Sequence, residues 1–429
     1  MRTNIAALGV ILTGIFQTAT SVPHAFRRAQ SVVPTDSIVH QELGPKLSKG
    51  ASIFLPGSAQ FTNVTVRWSS FTTPKYAFVV VPAFTEDVAA AVGISAAFAS
   101  VSRVDKFFRS NSPGHGTAPT ISNVKNGVKI YVHALSSTQV AADGRSALLG
   151  GGTYVDEVVK ELALHGKNFV SGTCGCVGML GAGLGGGIGK FTGYFGLVTD
   201  NIIDMTVVIA DGSIIAVSKT SHSDTYWGMR GAGHNFGIVI QFKLENLRST
   251  RRRMLEAFPE RINILNANET EPKEIGEVYT LLIMNEAVSK DLVFLVGIHY
   301  AGTEAEALPY LEPFLQIEPA VNVNSTIPYT NIPNDAGTTV DSPVCAAGLS
   351  QLLFPVGLLS YNIETTRALH TLFSDMVTKH PQFNGSQIQF DVYAIEGMRA
   401  VDPASTAYPH RRDNVLGCVT STCFLFHTF

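Results

Sequence analysis

Gly172-Thr173-Cys174-Gly175-Cys176-Val177-Gly178-Met179-Leu180-Gly181-Ala182-Gly183-Leu184-Gly185-Gly186-Gly187-Ile188-Gly189 is half glycine in a chain of 429 residues. Residues without a Cβ let main-chain N–H groups approach a ligand and converge on it, which suits a pyrophosphate or another anion. Tight turns between strands are the plainer reading, but turns alone need fewer glycines. A nicotinamide-type turn would set Gly-X-Gly-X-X-Gly between a strand and an amphipathic helix, with an acidic residue about 20 positions on. Gly178-X-X-Gly181-X-Gly183 fits that spacing poorly and no amphipathic helix follows, so a doubly wound dinucleotide fold is set aside.

Upstream of this stretch, residues 77–81 form a β-branched run suited to a buried strand, and residues 86–100, opening at Thr85, are alanine-rich and helical in pattern. Residues 107–115 begin as a strand and run into a turn containing Asn111, Pro113, Gly114 and Gly116, which puts His115 in a loop; residues 128–132 read as the next strand. A helix follows over 155–164, closed by Gly166. Downstream, residues 202–209 and 213–217 flank Asp211-Gly212, the signature of a β-hairpin. The stretch from Asp224 to Val239 carries a second set of glycines, with Asn235 and Gly237 near its end, and leads into a strand through Ile238 and Val239. Two glycine loops therefore flank one hairpin.

Composition narrows the function classes. With 45% hydrophobic residues the chain can fill a large core, and its length allows two or three domains. Only 15% of residues are charged and the net charge is -3, so there is no basic face to neutralise nucleic-acid phosphates. No His/Cys/Asp/Glu set has metal-ligand spacing. Residues 1–21 carry Arg2, an apolar run over 5–16 and small residues near Ala19 and Ser21, the pattern of a cleaved signal peptide; the run is too short for a membrane span of about 20 residues. Sequons at Asn63, Asn268, Asn324 and Asn384 fit glycosylation in a secretory pathway. The five cysteines, Cys174, Cys176, Cys345, Cys418 and Cys423, leave at least one outside any intramolecular disulfide set.

Five segments stand in order: Gly-X-Cys-X-X-Val-Gly over 172–178, Leu184-Gly185-Gly186-Gly187, Tyr-Phe-Gly-Leu-X-X-Asp-Asn ending at Asn201, Ala210-Asp211-Gly212, and residues 224–239. Together they resemble the flavin oxidoreductases of the vanillyl-alcohol-oxidase superfamily, and within it the berberine-bridge-enzyme-like proteins, which include fungal secondary-metabolism oxidases and oligosaccharide oxidases. The resemblance covers residues 71–247. It implies an α+β chain: a PCMH-type, two-part FAD-binding fold over 71–247, preceded by a segment over 22–70, and an α+β substrate domain over 254–413. It also implies FAD held by the glycine loops, with Gly178, Gly181, Gly185, Gly186, Gly187, Asn235, Gly237, Ile238 and Val239 as candidate contacts.

Family members often carry a histidine in a Gly-Gly-His loop bonded to the methyl carbon of the flavin's benzenoid ring; His115 in Ser112-Pro113-Gly114-His115-Gly116 takes that place, with proline where the first glycine stands elsewhere. Some members add a bond from the cysteine of Gly-X-Cys-X-X-Val-Gly to the neighbouring ring carbon, and Cys174 falls there, whereas Cys176 is offset by two. The plainer readings are a solvated loop histidine and a small buried or disulfide-bonded cysteine.

Beyond the arginine-rich boundary at 248–253, Gln387, Gln389, Asp391 and Tyr393 alternate on a strand-like stretch that either lines a pocket over the flavin or forms a wet sheet face. Residues 407–411 still resemble the family. The ending over 414–429 departs from it and is expected to be either a variant with a local Cys418–Cys423 disulfide or the end of a truncated gene model. A catalytic tyrosine often lies in the segment that relatives carry there, so no catalytic base is carried over. The resemblance implies a secreted FAD-dependent oxidase that passes a hydride from a small organic metabolite to flavin and then electrons to oxygen, giving hydrogen peroxide. Two other readings stay open: an oligosaccharide oxidase, and a catalytically inactive flavin-binding product.

Overall fold

The computed structural model describes residues 36–71, 73–101, 108–110, 114–245, 248–249, 254–257 and 271–423. The signal-peptide segment, Asn268 and Pro113 lie outside them. Three large sheets and one two-stranded pair organise the described residues. The first has β1 (Ser52–Phe54), β2 (Tyr76–Val81), β3 (Phe108–Ser110) and β4 (Gly127–Ile130) in the order β1-β2-β4-β3, antiparallel at β1/β2 and parallel elsewhere. Residues 52–54, ahead of the glycine-rich part, thus supply the edge strand of this sheet. The helix Thr85–Val101 crosses over between the parallel strands β2 and β3, as parallel pairing requires.

The second sheet is antiparallel throughout. It contains β5 (Thr138–Val140) and β6 (Ser146–Gly150); after the short β7 (Lys167–Asn168) come β8 (Ile202–Val208), β9 (Ile214–Ser218) and β10 (Ile238–Glu245), in the order β5-β6-β10-β8-β9. Gly212, at φ 89°, makes the β8/β9 turn, where the Asp211 carboxylate accepts from Ser213 N at 2.7 Å. The helix Val155–Leu164 buries Val155, Val158, Val159 and Leu162, the i, i+3, i+4, i+7 stripe, and Glu157 accepts from Tyr154 N at 2.7 Å to cap its start.

The third sheet begins after β11 (Arg248–Ser249), which pairs with β7. It holds β12 (Met254–Ala257), β13 (Ile275–Met284), β14 (Leu292–Ala301), β15 (Asn324–Ile327), β16 (Ser350–Leu358), β17 (Gln387–Val392) and β18 (Val415–Cys423), in the order β15-β12-β14-β13-β17-β18-β16, all antiparallel. Because side chains alternate along a strand, Val278, Leu282, Val296, Ile298, Ile388, Phe390 and Val392 share one core with Ala307, Leu311 and Phe314 of the helix Glu304–Leu315 and with Phe373 and Val377 of the helix Ile363–Lys379. The neighbouring residues Glu277, His299, Gln389 and Asp391 are left for the opposite face, toward the glycine loops. No helix among the described residues is long and apolar enough to cross a membrane.

One expectation for the ending is corrected. Residues 415–423 form β18, hydrogen-bonded to β17 on one side and β16 on the other. Cys418 and Cys423 stand five residues apart on this one strand, about 16 Å at a rise of about 3.3 Å per residue, far beyond the reach of a disulfide. Cys418 is a free thiol, and the bond that forms is Cys176–Cys345.

Gly152 shows how tightly the first two sheets are joined: a Cβ there would lie 2.1 Å from Val132 O. Gly152→Ala is expected to cost about 1–3 kcal/mol through overpacking, while Gly44→Ala, where a Cβ would meet nothing within 4 Å, stays within about 0.5 kcal/mol of wild type; urea unfolding checks both.

Candidate active site

His115 is held by its neighbours in space. Its ring stacks on Trp68, centroids 5.0 Å apart at 21°, and the adjacent Arg67 guanidinium donates to Gly116 O. Burial first, then the Arg67 charge, bring its pKa down to about 4, against a hydrogen bond with the Cys176 main chain. The imidazole is therefore neutral at pH 7. Since the unfolded histidine titrates near 6.5, the unfolded state takes up the proton first as pH falls, so His115 costs stability progressively between about pH 6.5 and 4. Its Nε2 is buried without a hydrogen-bond partner, the kind of orphan that a ligand resolves.

The contact with Cys176 brings His115 to the loop that carries Cys174. Gly175 N donates to Thr338 O at 2.9 Å, and Thr338 Oγ1 donates to Thr173 O at 2.9 Å, so hydrogen bonds secure the residues on both sides of Cys174. The Cys174 thiol is free, and burial, reinforced by Glu277, pushes its pKa up to about 11. Cys176 instead forms the disulfide to Cys345.

Beside Cys174 lies a buried polar cluster built from the glycine region and the third sheet. The Lys190 ammonium pairs with Glu277 and donates to Thr173 Oγ1 at 2.6 Å. Glu277 also accepts from the Tyr393 hydroxyl at 2.5 Å, and His299 Nδ1 lies 3.4 Å from it on the facing strand. Burial alone would raise the Glu277 pKa; Lys190 and His299 hold it well below the ordinary carboxylate range. Asp391 is pushed the other way, up to about 8, by burial and then by the Glu277 charge, while the Gln389 amide donates to its oxygens at 2.8 and 3.0 Å. Burial and the two carboxylates raise Tyr393 well above a normal phenol. Two carboxyl groups with environments that push them apart form an acid–base pair in one site.

Gln389, Asp391 and Tyr393 thus join this polar cluster rather than a wet sheet face, with the Asp391 carboxyl buried. Lys190, Glu277, His299 and Trp68 escaped the sequence reading. Lys190, a charge directly after a run of glycines and apolar residues, carried a usable signal; Glu277 and His299 become informative through strand pairing.

The glycines divide by role. Gly178 precedes the helix Met179–Gly183, and Gly181 and Gly185 are exposed; a Cβ on Gly181 would meet nothing within 4 Å. Gly186 and Gly187 have positive φ, 119° and 78°, and a Cβ would strike Tyr408 at 2.5 Å and Val198 at 2.7 Å, so packing requires them. Leu184 O accepts from Gly231 N at 3.1 Å and Gly233 N at 3.2 Å, which binds the two glycine loops to each other. Asn235 donates to Ala232 O at 2.9 Å, a Cβ on Gly237 would lie 2.6 Å from Val208 O, and Ile238 and Val239 are buried in the core.

An orphaned imidazole nitrogen, a thiol beside an acid–base cluster and glycines open to approach fit a flavin dinucleotide. A family model described as an FAD binding domain matches residues 76–218. The FAD-linked oxidoreductase anuG of Penicillium roqueforti is 36% identical over 88% of this chain and 75% of its own length, and iacH of Pestalotiopsis fici is 34% identical over 88% and 74%. Among solved structures, a chitooligosaccharide oxidase aligns with a TM-score of 0.73 at 21% identity, covering 91% of this chain and 84% of its own. The glucooligosaccharide oxidase of Acremonium strictum, whose structure describes a 6-S-cysteinyl, 8α-N1-histidyl FAD, aligns at 0.72 with 20% identity over 90% and 82%. On the sequence relationship to the fungal enzymes, with the fold in agreement, the chain belongs to the FAD-linked oxidoreductases.

Proposed function

We propose that this protein is a secreted oxidase holding FAD through His115 and Cys174, which oxidises a small organic metabolite of fungal secondary metabolism and gives hydrogen peroxide from oxygen. Residues 71–247 form its flavin part and 254–413 its substrate part, with β18 adding to the latter's sheet. The reading is carried by one juxtaposition: the loops of His115 and Cys174 meet at the edge of a buried acid–base cluster presented by the third sheet. Secretion is supported by the apolar run over 5–16, the exposed sequon residues Asn63 and Asn324, and the Cys176–Cys345 disulfide, since such bonds persist in oxidising compartments.

Bound FAD would accept a hydride from a substrate carbon. The chain supplies the proton chemistry. Asp391, protonated below about pH 8, becomes a base above it, and its low-dielectric site leaves no competing water shell. Glu277, held below the ordinary carboxylate range beside Lys190, fixes the Tyr393 hydroxyl as a donor.

A panel of alcohols, amines and oligosaccharides, mixed anaerobically with the flavin-loaded protein and then aerobically with peroxide detection, tests this. With a substrate that bleaches the flavin, the bleaching rate is expected to rise with pH through about 8, and Asp391→Asn to slow it by about 10²–10⁴-fold and flatten that rise. An unchanged rate in Asp391→Asn removes Asp391 as the base. Preferential turnover of oligosaccharides would make the protein a sugar oxidase, and no bleaching by any class an inactive flavin binder.

A further inference from the structure

One segment of the substrate part, residues 333–351, grips both attachment positions at once. Toward His115, Trp68 Nε1 donates to Val344 O at 2.8 Å, Gly348 N donates to Arg67 O and Trp68 O at 3.1 Å, and Ser70 N donates to Leu349 O at 2.9 Å. These contacts hold the indole that stacks on His115 and the arginine that binds Gly116 O. Toward Cys174, Thr338 takes the hydrogen bond from Gly175 N and donates to Thr173 O. One covalent bond ties this segment to the flavin part: Cys345 to Cys176, across 169 residues of sequence. Cys176 is two residues from Cys174, and its main chain also contacts His115.

We propose that the Cys176–Cys345 disulfide is a positioning clamp that sets His115 and Cys174 in register for flavin attachment, so that oxidation of this cysteine pair must precede full loading. The inference rests on the covalent reading of the site. Its redox step is thiol–disulfide exchange: the two thiols lose two electrons and two protons to a disulfide of an oxidising exchange partner, which leaves as a dithiol. Cys176 and Cys345 are buried once joined, which shields the bond from later exchange. Cys174 stays outside the exchange because burial keeps it a thiol, and the thiolate is the attacking form.

Three variants, Cys176→Ala, Cys345→Ala and the double, are loaded with FAD beside wild type, and acid-stable flavin is measured by in-gel fluorescence and intact mass. A misplacement of about 1 Å costs about a hundredfold in rate, so attachment is expected to slow to that extent, equally in all three variants because they break one bond. Hydrogen–deuterium exchange over 172–178 and 114–118 is expected to lose protection in the same variants. If a variant fails to fold, wild type reduced with dithiothreitol before FAD is added replaces it, compared with the unreduced protein. Loading at the wild-type rate with unchanged protection overturns the clamp. Should wild type itself carry no covalent flavin, attachment through His115 and Cys174 fails instead, and protection of the two loops still decides: lost in the variants, the clamp stands as a positioning device for bound FAD; unchanged, it falls.

Discussion

The double variant His115→Ala/Cys174→Ala is expected to release all of its flavin on acid denaturation, while wild type stays yellow and each single variant keeps flavin through its remaining bond. Acid unfolding abolishes every non-covalent contact, so colour that remains with the polypeptide reports covalent attachment alone. The two positions differ in readiness. His115, neutral above about pH 4, offers a ring nitrogen at any physiological pH. Cys174, with its pKa near 11, is almost wholly protonated there, so attachment through it is expected to be the slower step and to accelerate as loading is carried out at higher pH. Absorbance of the acid precipitate and mass of the chain read both effects. Colour retained by the double variant would point to a third attachment residue, and a wild type that takes up no FAD would leave the site without its proposed cofactor bonds.

The second large effect concerns stability. Arg411 and Asp200, each about 4% exposed at the side chain, form a bidentate pair at 2.7 and 3.0 Å, and Arg411 also donates to Met398 O at 3.1 Å and Thr406 Oγ1 at 2.8 Å. Removing one partner leaves a buried charge with nothing to neutralise it. Arg411→Met is expected to lower the unfolding free energy by about 3–5 kcal/mol, and Asp200→Leu/Arg411→Met to recover much of that loss, because a buried pair can be replaced by apolar groups at small net cost. Urea unfolding of the two singles and the double gives the coupling directly; strictly additive losses would show that the two side chains do not act as a pair.

That pair also shows what was legible in the sequence. The family segment ending at Asn201 and the stretch over 407–411 were read separately, and in space Asp200 of the one meets Arg411 of the other. Local signals translated well: the helix Val155–Leu164 and the Asp211-Gly212 hairpin follow from periodicity, capping and turn chemistry within a dozen or so residues. Whatever depends on distant partners stayed hidden. Cysteine count left the pairing of Cys176 open, and nothing near Trp68 announces that its ring will lie on His115. The candidate glycines were legible as a group, but Gly186 and Gly187 answer to Tyr408 and Val198 as much as to any ligand, a distinction that local sequence does not carry.

The place of β18 bears on how the chain is made. A ribosome delivers β16 and β17 well before β18, yet these two strands are joined to each other through it. Until residues 415–423 emerge, β16 has no partner, and Phe354 and Val356 on it are exposed even in the finished protein. During synthesis the nascent protein therefore presents bare strand edges to its neighbours, a form prone to association between chains. Yield on expression should then depend on chaperone supply and temperature more than the stability of the finished fold would suggest.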